Sequence, residues 1–194
     1  MGRIAVTVLA SADAVVEDPA GVEETEHGGW ALGLEIGAEC ERYKLEELLA
    51  AESLLLGRVT YEGLAASWDG RDQSGFAETI NAMPKYVVSS TLGEPDWGET
   101  TVLRGDVIEQ VRMLKEALPG EILVPGSLQL VQALFEEELL DELRVLLFGR
   151  IVGGGRRLFP PGTDPKPMRV ARSRNFDNGI ASIVFEPRQE VPSV

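Results

Sequence analysis

The sequence predicts a single α/β domain with a mixed, mostly parallel central sheet that is flanked by helices. Short apolar runs alternate with helical patterns through most of the chain, as in sheets whose strands are joined by helical crossovers. The dipeptide Asn178-Gly179 separates two late strand patterns and predicts a C-terminal antiparallel hairpin. The 194 residues are 44% hydrophobic, which is enough for one well-packed core.

The first third of the chain predicts two strands, a long loop and two helices. Arg3 to Leu9 is rich in β-branched residues and predicts the first strand. Ser11 to Gly29 is a long loop with six carboxylates and no Lys or Arg, and loops of this length are usually either functional lids or disordered. Leu32 to Glu52 has helical apolar spacing, Ser53 to Leu56 predicts a buried strand, and Tyr61 to Trp68 predicts a second helix.

The middle of the chain continues the alternation of strands and helices. The predicted elements, in order, are a short helix near Phe76 to Met83, strands at Lys85 to Ser89 and Thr100 to Leu103, a helix capped by Asp106 and ended by Pro119-Gly120, a strand at Glu121 to Val124, and a helix after Ser127.

The last third predicts one strongly apolar strand and the hairpin. Leu143 to Phe148 is either a dimer face or part of the monomer core, and the sequence leaves both open. Met168 to Phe176 and Ile180 to Phe185 predict the two hairpin strands. We therefore expect residues 1–187 to form one domain and residues 188–194 a flexible tail.

Composition excludes several classes of function. The formal net charge of −14 argues against nucleic-acid binding and against docking on anionic membranes. A single Cys40 and a single His27 cannot form a Cys/His zinc site or supply several catalytic histidines, so no metal is expected. Met1 to Leu9 lacks the pattern of a signal peptide, and no apolar run has the length of a membrane span, so a cytoplasmic protein is expected.

The most informative stretch is Gly57-Arg58-Val59-Thr60, where a buried strand turns directly into a helix. Such a turn gathers unpaired backbone N–H groups and the positive end of the helix dipole, which favour phosphate. Arg58 adds a fixed charge and Thr60 a hydroxyl. The alternative is an ordinary turn with a solvated arginine, since short motifs often mislead.

Two further predicted strands end in residues suited to phosphate. They are followed by Ser89-Ser90-Thr91 and by Pro125-Gly126-Ser127-Leu128, and the second of these again opens a helix. Ser127 could cap that helix, donate to a phosphate, or do both. Since parallel strands end at the same sheet edge, the three turns indicate an elongated ligand with several phosphates, such as a dinucleotide. The alternative is that turns in α/β folds are simply rich in Gly and Ser.

Motifs along nearly the whole chain resemble the dihydrofolate-reductase-like superfamily. The chain is most similar to stand-alone bacterial proteins related to the reductase half of the riboflavin-pathway deaminase-reductase. The motifs are Ser11-Ala12-Asp13-Ala14, Gly28-Gly29-Trp30, Leu55-Leu56-Gly57-Arg58-Val59-Thr60-Tyr61-Glu62, Val87-Val88-Ser89-Ser90-Thr91-Leu92, Ile122-Leu123-Val124-Pro125-Gly126-Ser127, Leu140-Asp141-Glu142-Leu143 and Gly153-Gly154-Gly155-Arg156-Arg157-Leu158-Phe159. Ala14 departs from the family pattern, which usually has Gly there.

The resemblance implies a dihydrofolate-reductase-like fold, a small-molecule substrate, NADPH as hydride donor and a homodimer. The cofactor-binding residues that it implies are Gly57, Arg58, Thr60, Ser89, Ser90, Thr91, Gly126, Ser127 and Leu128. Among them, the hydroxyl-bearing run after Val88 would lie near the adenosine 2′-phosphate. The zinc-binding deaminase half is absent from the sequence.

A reductase also needs a proton for the reduced group, from an acidic side chain or from water. Asp13 and Glu35 are the candidate acids, although Asp13 could instead stabilise the first loop and Glu35 could be solvated. Trp30 and Trp68 could line the substrate pocket, with core packing as the alternative for Trp68. A non-catalytic NADP(H)-binding or sensor protein on the same fold is the alternative function.

Overall fold

A computed structural model describes residues 1–71 and 75–188. Within these residues, eight strands and five helices follow one another in the order β1 (Arg3–Ser11), α1 (Gly37–Ala50), β2 (Ala51–Gly57), α2 (Arg58–Trp68), α3 (Gly75–Ala82), β3 (Lys85–Val88), β4 (Thr100–Leu103), α4 (Val107–Ala117), β5 (Glu121–Pro125), α5 (Leu128–Glu136), β6 (Glu142–Phe148), β7 (Met168–Asn175) and β8 (Ile180–Pro187).

The strands form one sheet in the order β4-β3-β2-β5-β1-β6-β8-β7. The first six strands of this order run parallel to their neighbours, whereas β8 pairs antiparallel with both β6 and β7. This arrangement confirms the predicted mixed, mostly parallel sheet and the C-terminal antiparallel hairpin. The carboxyl ends of the parallel strands therefore meet at one edge, which is where α/β folds bind ligands.

Helices cover both faces of the sheet, as the alternating pattern predicts. On one face, alternate β1 residues such as Ile4 and Val6 pack with Val111 of α4 and Val131 of α5. On the other face, two further clusters form against α1, α2 and α3, one of them around Leu54, Leu56 and Trp97 and the other around Cys40, Phe148 and Trp30. The burial of Cys40 raises the pKa of its thiol, which favours an inert core residue over a nucleophile.

The first helix begins later than predicted, at Gly37 and not near Leu32. Gly33 and Gly37 adopt left-handed conformations with φ of +71° and +74°, which interrupt a right-handed helix. The apolar side chains between them, Leu34 and Ile36, pack against the cluster around Trp30 from an irregular segment. Their helix-like spacing therefore reflects burial against this cluster and not a helix.

The apolar strand β6 lies inside the sheet, between β1 and β8. Leu143, Leu146 and Phe148 are buried within the monomer, so core packing accounts for these side chains. The homodimer stays a prediction. The predicted tail lies outside the described residues except for Arg188, whose backbone N–H donates to the carbonyl oxygen of Pro167.

Candidate active-site cleft

A cleft of about 1590 Å³ opens at the carboxyl edge of the parallel strands. The staggered strand ends create it: β5 ends at Pro125, opposite Thr7, whereas β1 continues for four more residues to Ser11. The N–H of Gly126 donates to the carbonyl oxygen of Thr7 at 3.0 Å, so the backbone of the two strands stays joined at the floor of the cleft. Strand β1, helices α1 and α2 and the first loop form the walls.

All nine predicted cofactor residues line this one cleft. Three turns carry them, at the ends of β2, β3 and β5, and these strands belong to the parallel part of the sheet. The topology therefore brings the three turns together at one edge, as the sequence predicts. That they bind a cofactor stays a prediction.

Ser127 joins two of these turns through its side chain. Its Oγ atom accepts the backbone N–H of Gly57 at 2.7 Å and donates to Oγ1 of Thr60 at 2.7 Å. Ser127 makes no capping hydrogen bond to its own helix, and its backbone is left-handed with φ of +65°. Of the roles that the sequence leaves open, helix capping is therefore not what this side chain does.

Arg58 lies at the start of α2 and pairs with Glu62 one turn later. Its guanidinium contacts both carboxylate oxygens, at 2.7 and 3.0 Å, and its side chain is 42% exposed. An exposed pair of this kind contributes little to stability. A phosphate at the turn would therefore compete with Glu62 for Arg58 at small cost.

The turn after β3 is held by Ser89 and by Arg104. The buried Ser89 Oγ accepts the N–H groups of Thr91 and Leu92, at 3.1 and 2.9 Å. Arg104 donates to the carbonyl oxygens of Ser90, at 3.2 Å, and Leu92. Sequence reasoning missed Arg104, although its position directly after the strand that pairs with β3 was a usable signal.

Asp13 does not line the large cleft. Its carboxylate accepts the Ser11 hydroxyl at 2.7 Å and the N–H groups of Gly153 and Val152, at 2.8 and 3.1 Å. The Ser11 hydrogen bond, followed by those from Gly153 and Val152, holds the pKa of Asp13 well below its ordinary value. The carboxylate thus anchors the glycine-rich loop after β6 to the end of β1.

Glu35 and Trp30 also lie away from the cleft lining. Glu35 is exposed in the irregular segment before α1, and its backbone carbonyl oxygen accepts a hydrogen bond from the Asn178 side-chain amide at 2.7 Å. Trp30 is buried behind the cleft, where its ring packs edge-on to Phe148 with centroids 5.8 Å apart. Phe148 does line the cleft, so Trp30 supports the wall from behind.

The acidic first loop is folded by one of its own carboxylates. Asp18 is buried and accepts the N–H groups of Glu23 and Thr25, at 3.0 and 3.1 Å, together with the Thr25 hydroxyl. Arg156, from the glycine-rich loop, lines the cleft and pairs with Glu17. Two carboxylates of this loop therefore have partners: Asp18 accepts hydrogen bonds within the loop, and Glu17 pairs with Arg156.

Lys44 lines the cleft, and sequence reasoning missed it. From α1 its Nζ atom donates to Oγ1 of Thr7 at 2.7 Å and pairs with the buried carboxylate of Glu47. The other Glu47 oxygen lies 3.6 Å from Arg144, which itself pairs with Glu121 at 2.6 Å. In the sequence, Lys44 is one charge among many on an ordinary helix, and no signal marks its reach to the sheet.

The same charged layer continues to Glu142, which is completely buried under Arg144, Arg3 and Arg172. Burial alone would raise the pKa of Glu142, but hydrogen bonds and charge from Arg144, with Arg3 and Arg172, lower it overall. The carboxylates likewise raise the pKa of Arg144 against its burial. Glu142 and Arg144 therefore stabilise each other's charged forms inside the protein.

Aromatic and aliphatic side chains of α1, α2 and α3 also line the cleft. Trp68 of α2 packs against Phe76 of α3, with ring centroids 4.9 Å apart and planes at 47°. Leu64 and Leu45 line the same part of the cleft. Trp68 thus packs against the core and also lines the cleft, and its contact with a substrate stays a prediction.

The chain is similar to known proteins both in sequence and in fold. The sequence model of the RibD C-terminal domain family matches residues 3–182. A Bacillus subtilis (strain 168) protein named Uncharacterized protein YyaP is 22% identical over 138 residues, which cover 69% of this chain and 73% of that protein.

Two solved structures share the fold. One is the crystal structure of a Shewanella sp. PV-4 protein provisionally assigned to riboflavin biosynthesis, with a TM-score of 0.75, 18% identity, and coverage of 96% of this chain and 99% of that one. The other is dihydrofolate reductase from Enterococcus faecalis in complex with NADP(H) and RAB-propyl, with a TM-score of 0.62, 12% identity, and coverage of 96% and 97%. Both confirm the dihydrofolate-reductase-like fold. Among the described residues, every helix is too short or too polar to cross a membrane.

Proposed function

Since the chain belongs to the RibD C-terminal domain family, we propose that it is an NADPH-dependent reductase. Its substrate is a small heterocyclic or carbonyl compound that takes up a hydride. One observation carries the proposal: nine residues from three separate turns line a single cleft, and Ser127 ties two of those turns together. The cleft is also lined by apolar side chains outside the turns, among them Leu64, Trp68 and Phe76.

The turns fit a pyrophosphate. Helices α2 and α5 both begin at the cleft, at Arg58 and Leu128, and their first N–H groups and dipoles favour anions. Gly126 has φ of +81°, and no atom lies within 4 Å of the place where a Cβ would stand. A ligand can therefore approach the backbone closely at this turn.

The residues of the turn after β3 would hold the adenosine 2′-phosphate. Ser90 and Thr91 are exposed hydroxyls at the cleft rim. Ser89 and Arg104 fix their backbone by the hydrogen bonds described above, so the turn is shaped before the ligand arrives. Bound NADPH would supply the hydride, and the chain would supply orientation and electrostatics.

The geometry favours water as the source of the proton. Neither Asp13 nor Glu35 lines the cleft, and the lowered pKa of Asp13 keeps it ionised at neutral pH. We propose that Asp13 acts indirectly, by holding the glycine-rich loop that carries Arg156 beside the cleft.

The same observation favours a second candidate function, a non-catalytic NADP(H)-binding or sensor protein. Calorimetric titration with NADPH, followed by NADPH oxidation with pterin, pyrimidine and carbonyl compounds, separates the two. Binding with turnover supports the reductase, and binding without turnover on every compound supports the sensor. Failure of NADPH to bind at millimolar concentration would overturn both.

A further inference from the structure

The turn of the C-terminal hairpin carries a reactive pair of residues at its tip. Asp177, Asn178 and Gly179 are all exposed there, and none of them lines the cleft. The backbone N–H of Phe176 donates to the carbonyl oxygen of Ile180 at 2.8 Å and closes the turn. Gly179 has φ of +78°, the conformation that the last residue of such a three-residue turn needs.

An asparagine can lose its side-chain amide without an enzyme, which makes it a thermolabile residue. The backbone nitrogen of the next residue gives its proton to water or hydroxide and bonds to the side-chain carbonyl carbon. The bond from that carbon to the side-chain nitrogen breaks, and ammonia leaves with the proton. Water then opens the cyclic imide at either carbonyl, which yields aspartate or isoaspartate. The net change converts an amide and water into a carboxylate and ammonium, with no oxidant or reductant.

The chain has three asparagines, and two of them are restrained against this reaction. The amide nitrogen of Asn81 donates to two backbone carbonyl oxygens, and its oxygen accepts the indole N–H of Trp97 at 2.8 Å. Asn175 is exposed, but the nitrogen that would attack it belongs to Phe176 and is held in the 2.8 Å hydrogen bond that closes the turn. Side-chain partners therefore protect the first, and the backbone protects the second.

The nitrogen that would attack Asn178 is held more weakly. The Gly179 N–H donates to the carbonyl oxygen of Phe176 at 3.3 Å, which is longer than the usual range of such bonds. No atom lies within 4 Å of the place where a Cβ of Gly179 would stand, so the turn is open to water on that side. A glycine also places no side chain in the path of the reaction. Asn178 therefore combines an accessible amide with an accessible nucleophile.

The same amide holds the hairpin to the segment before α1. Its nitrogen donates to the carbonyl oxygen of Glu35 at 2.7 Å and lies 3.4 Å from a Cβ built on Gly37, the first residue of α1. Between these two residues, Ile36 packs against the cluster around Trp30 and also lines the cleft. A carboxylate has no N–H to donate, so after the reaction two acceptors would face each other at the Glu35 carbonyl.

We propose that Asn178 is a site of spontaneous deamidation, and that the modification releases the hairpin turn from the segment before α1. The reaction needs only water, and it is independent of which ligand the cleft binds. It would mark the age of a protein molecule and loosen one wall of the cleft, although the three turns at the strand ends keep all their residues.

Peptide mapping by mass spectrometry tests the site, on folded full-length protein incubated at mildly alkaline pH. We expect the peptide that contains Asn178 to gain, with time, the mass difference between an acid and an amide, and to separate into aspartate and isoaspartate forms. Asn81 and Asn175 are internal controls that should convert more slowly, and fragmentation distinguishes Asn175 from Asn178. A sample digested before incubation measures the conversion that digestion itself causes.

Three variants separate the reaction from its consequence. Asn178→Gln keeps an amide but would have to form a larger ring, so its mass should stay constant. Asn178→Asp reproduces one product, and Asn175→Asp adds the same charge to the same hairpin as a matched control. Hydrogen exchange of the backbone N–H groups of residues 31–37 should become faster in the incubated protein and in Asn178→Asp, and should not change in Asn175→Asp.

A constant mass at Asn178, or conversion no faster than at Asn175, would overturn the assignment of the site. Exchange in residues 31–37 that is the same in Asn178→Asp as in the unmodified protein would overturn the release of the segment. Titration with NADPH tests the proposed function separately, and its outcome does not alter either result.

Discussion

The Oγ atom of Ser127 would lie 2.8 Å from a Cβ atom built on Gly57, although the two residues are seventy positions apart. The contact joins the strand-to-helix turn of β2 to that of β5. Since the same Oγ atom also accepts the Gly57 N–H, the two turns are held at a fixed spacing. A ligand that spans both turns depends on this spacing.

We expect Gly57→Ala to weaken NADPH binding and to lower the free energy of unfolding by about 1–3 kcal/mol, as overpacking does. The added methyl would meet both Oγ and Cβ of Ser127. Calorimetry with NADPH and urea unfolding measure the two effects.

Ser127→Gly is the matched control, because it removes the atoms that the new methyl meets and suits the left-handed backbone at this position. The double variant should lose less stability than the sum of the two single variants. Strictly additive effects would show that the contact does not set the spacing.

Arg58→Ala should weaken NADPH binding by about 1–3 kcal/mol, the value of a hydrogen bond to a charged group. Glu62→Gln is the matching variant, because this change breaks the ion pair of Arg58 but keeps the arginine itself. We expect that variant to bind NADPH at least as tightly as the wild type. An unchanged dissociation constant for Arg58→Ala would remove Arg58 from the site.

Arg104→Met should lower the preference for NADPH over NADH, by about tenfold if the turn that it holds binds the 2′-phosphate. The loss of its hydrogen bonds to the carbonyl oxygens of Ser90 and Leu92 loosens that turn but leaves the other two intact. Arg112→Met is the control, because it removes an arginine of α4 that forms an exposed ion pair with Glu137. Equal losses of affinity for NADPH and for NADH in Arg104→Met would show that the 2′-phosphate binds elsewhere.

The sequence predicted the three turns because their signals are local. A glycine or a run of hydroxyls directly after a buried strand is visible without knowing the fold, and parallel topology then places such turns at one edge. Arg104 follows a predicted strand directly and so carries a weaker signal of the same kind, whereas Lys44 could not be found in this way. Their importance lies in contacts to Thr7, Glu47 and the carbonyls of another strand's turn, which only the packed structure brings close.

The position of Asp13 shows a different limit. Its place at the end of the first strand predicts a side chain at the ligand edge, and it does lie at that edge. However, β1 extends four residues beyond β5, so Asp13 reaches the glycine-rich loop and not the cleft floor. The relative lengths of β1 and β5 decide where Asp13 lies, and the residues around Asp13 do not reveal those lengths.

Ala14→Gly should raise the free energy of unfolding by about 0.5–1 kcal/mol. Ala14 has φ of +66°, a conformation that costs a residue with a Cβ about 1–2 kcal/mol. Glycine avoids this cost, but the greater conformational entropy of its unfolded chain offsets part of the gain. Ala12→Gly, two residues earlier and without a positive φ, should instead be neutral or destabilising. Thermal and urea unfolding compare the two, and equal effects would rule out relief of backbone strain.

We expect Lys85 to make the stability of the protein depend on pH. Its side chain is 1% exposed and lies over the Trp97 ring, 4.4 Å from the centroid, with hydrogen bonds to the carbonyl oxygens of Met83 and Asn81 at 2.8 and 3.1 Å. Burial lowers its pKa to about 8 in the folded protein, although Asp69 and Glu99 oppose the shift. The unfolded chain keeps the ordinary value of 10.5.

Between these two pKa values, from about pH 8 to 10.5, the unfolded chain binds a proton at Lys85 that the folded protein has released. Stability must therefore rise with pH through that window, because the unfolded state is the one that holds more protons. Below pH 8 both states are protonated and the full cost of burying the charge applies. Urea unfolding at pH 7, 8, 9 and 10 measures the slope, and Lys85→Met should lack the rising component. Parallel pH profiles for the two proteins would show that Lys85 titrates normally in the folded state, and that its contacts with Trp97 and the two carbonyls offset the burial.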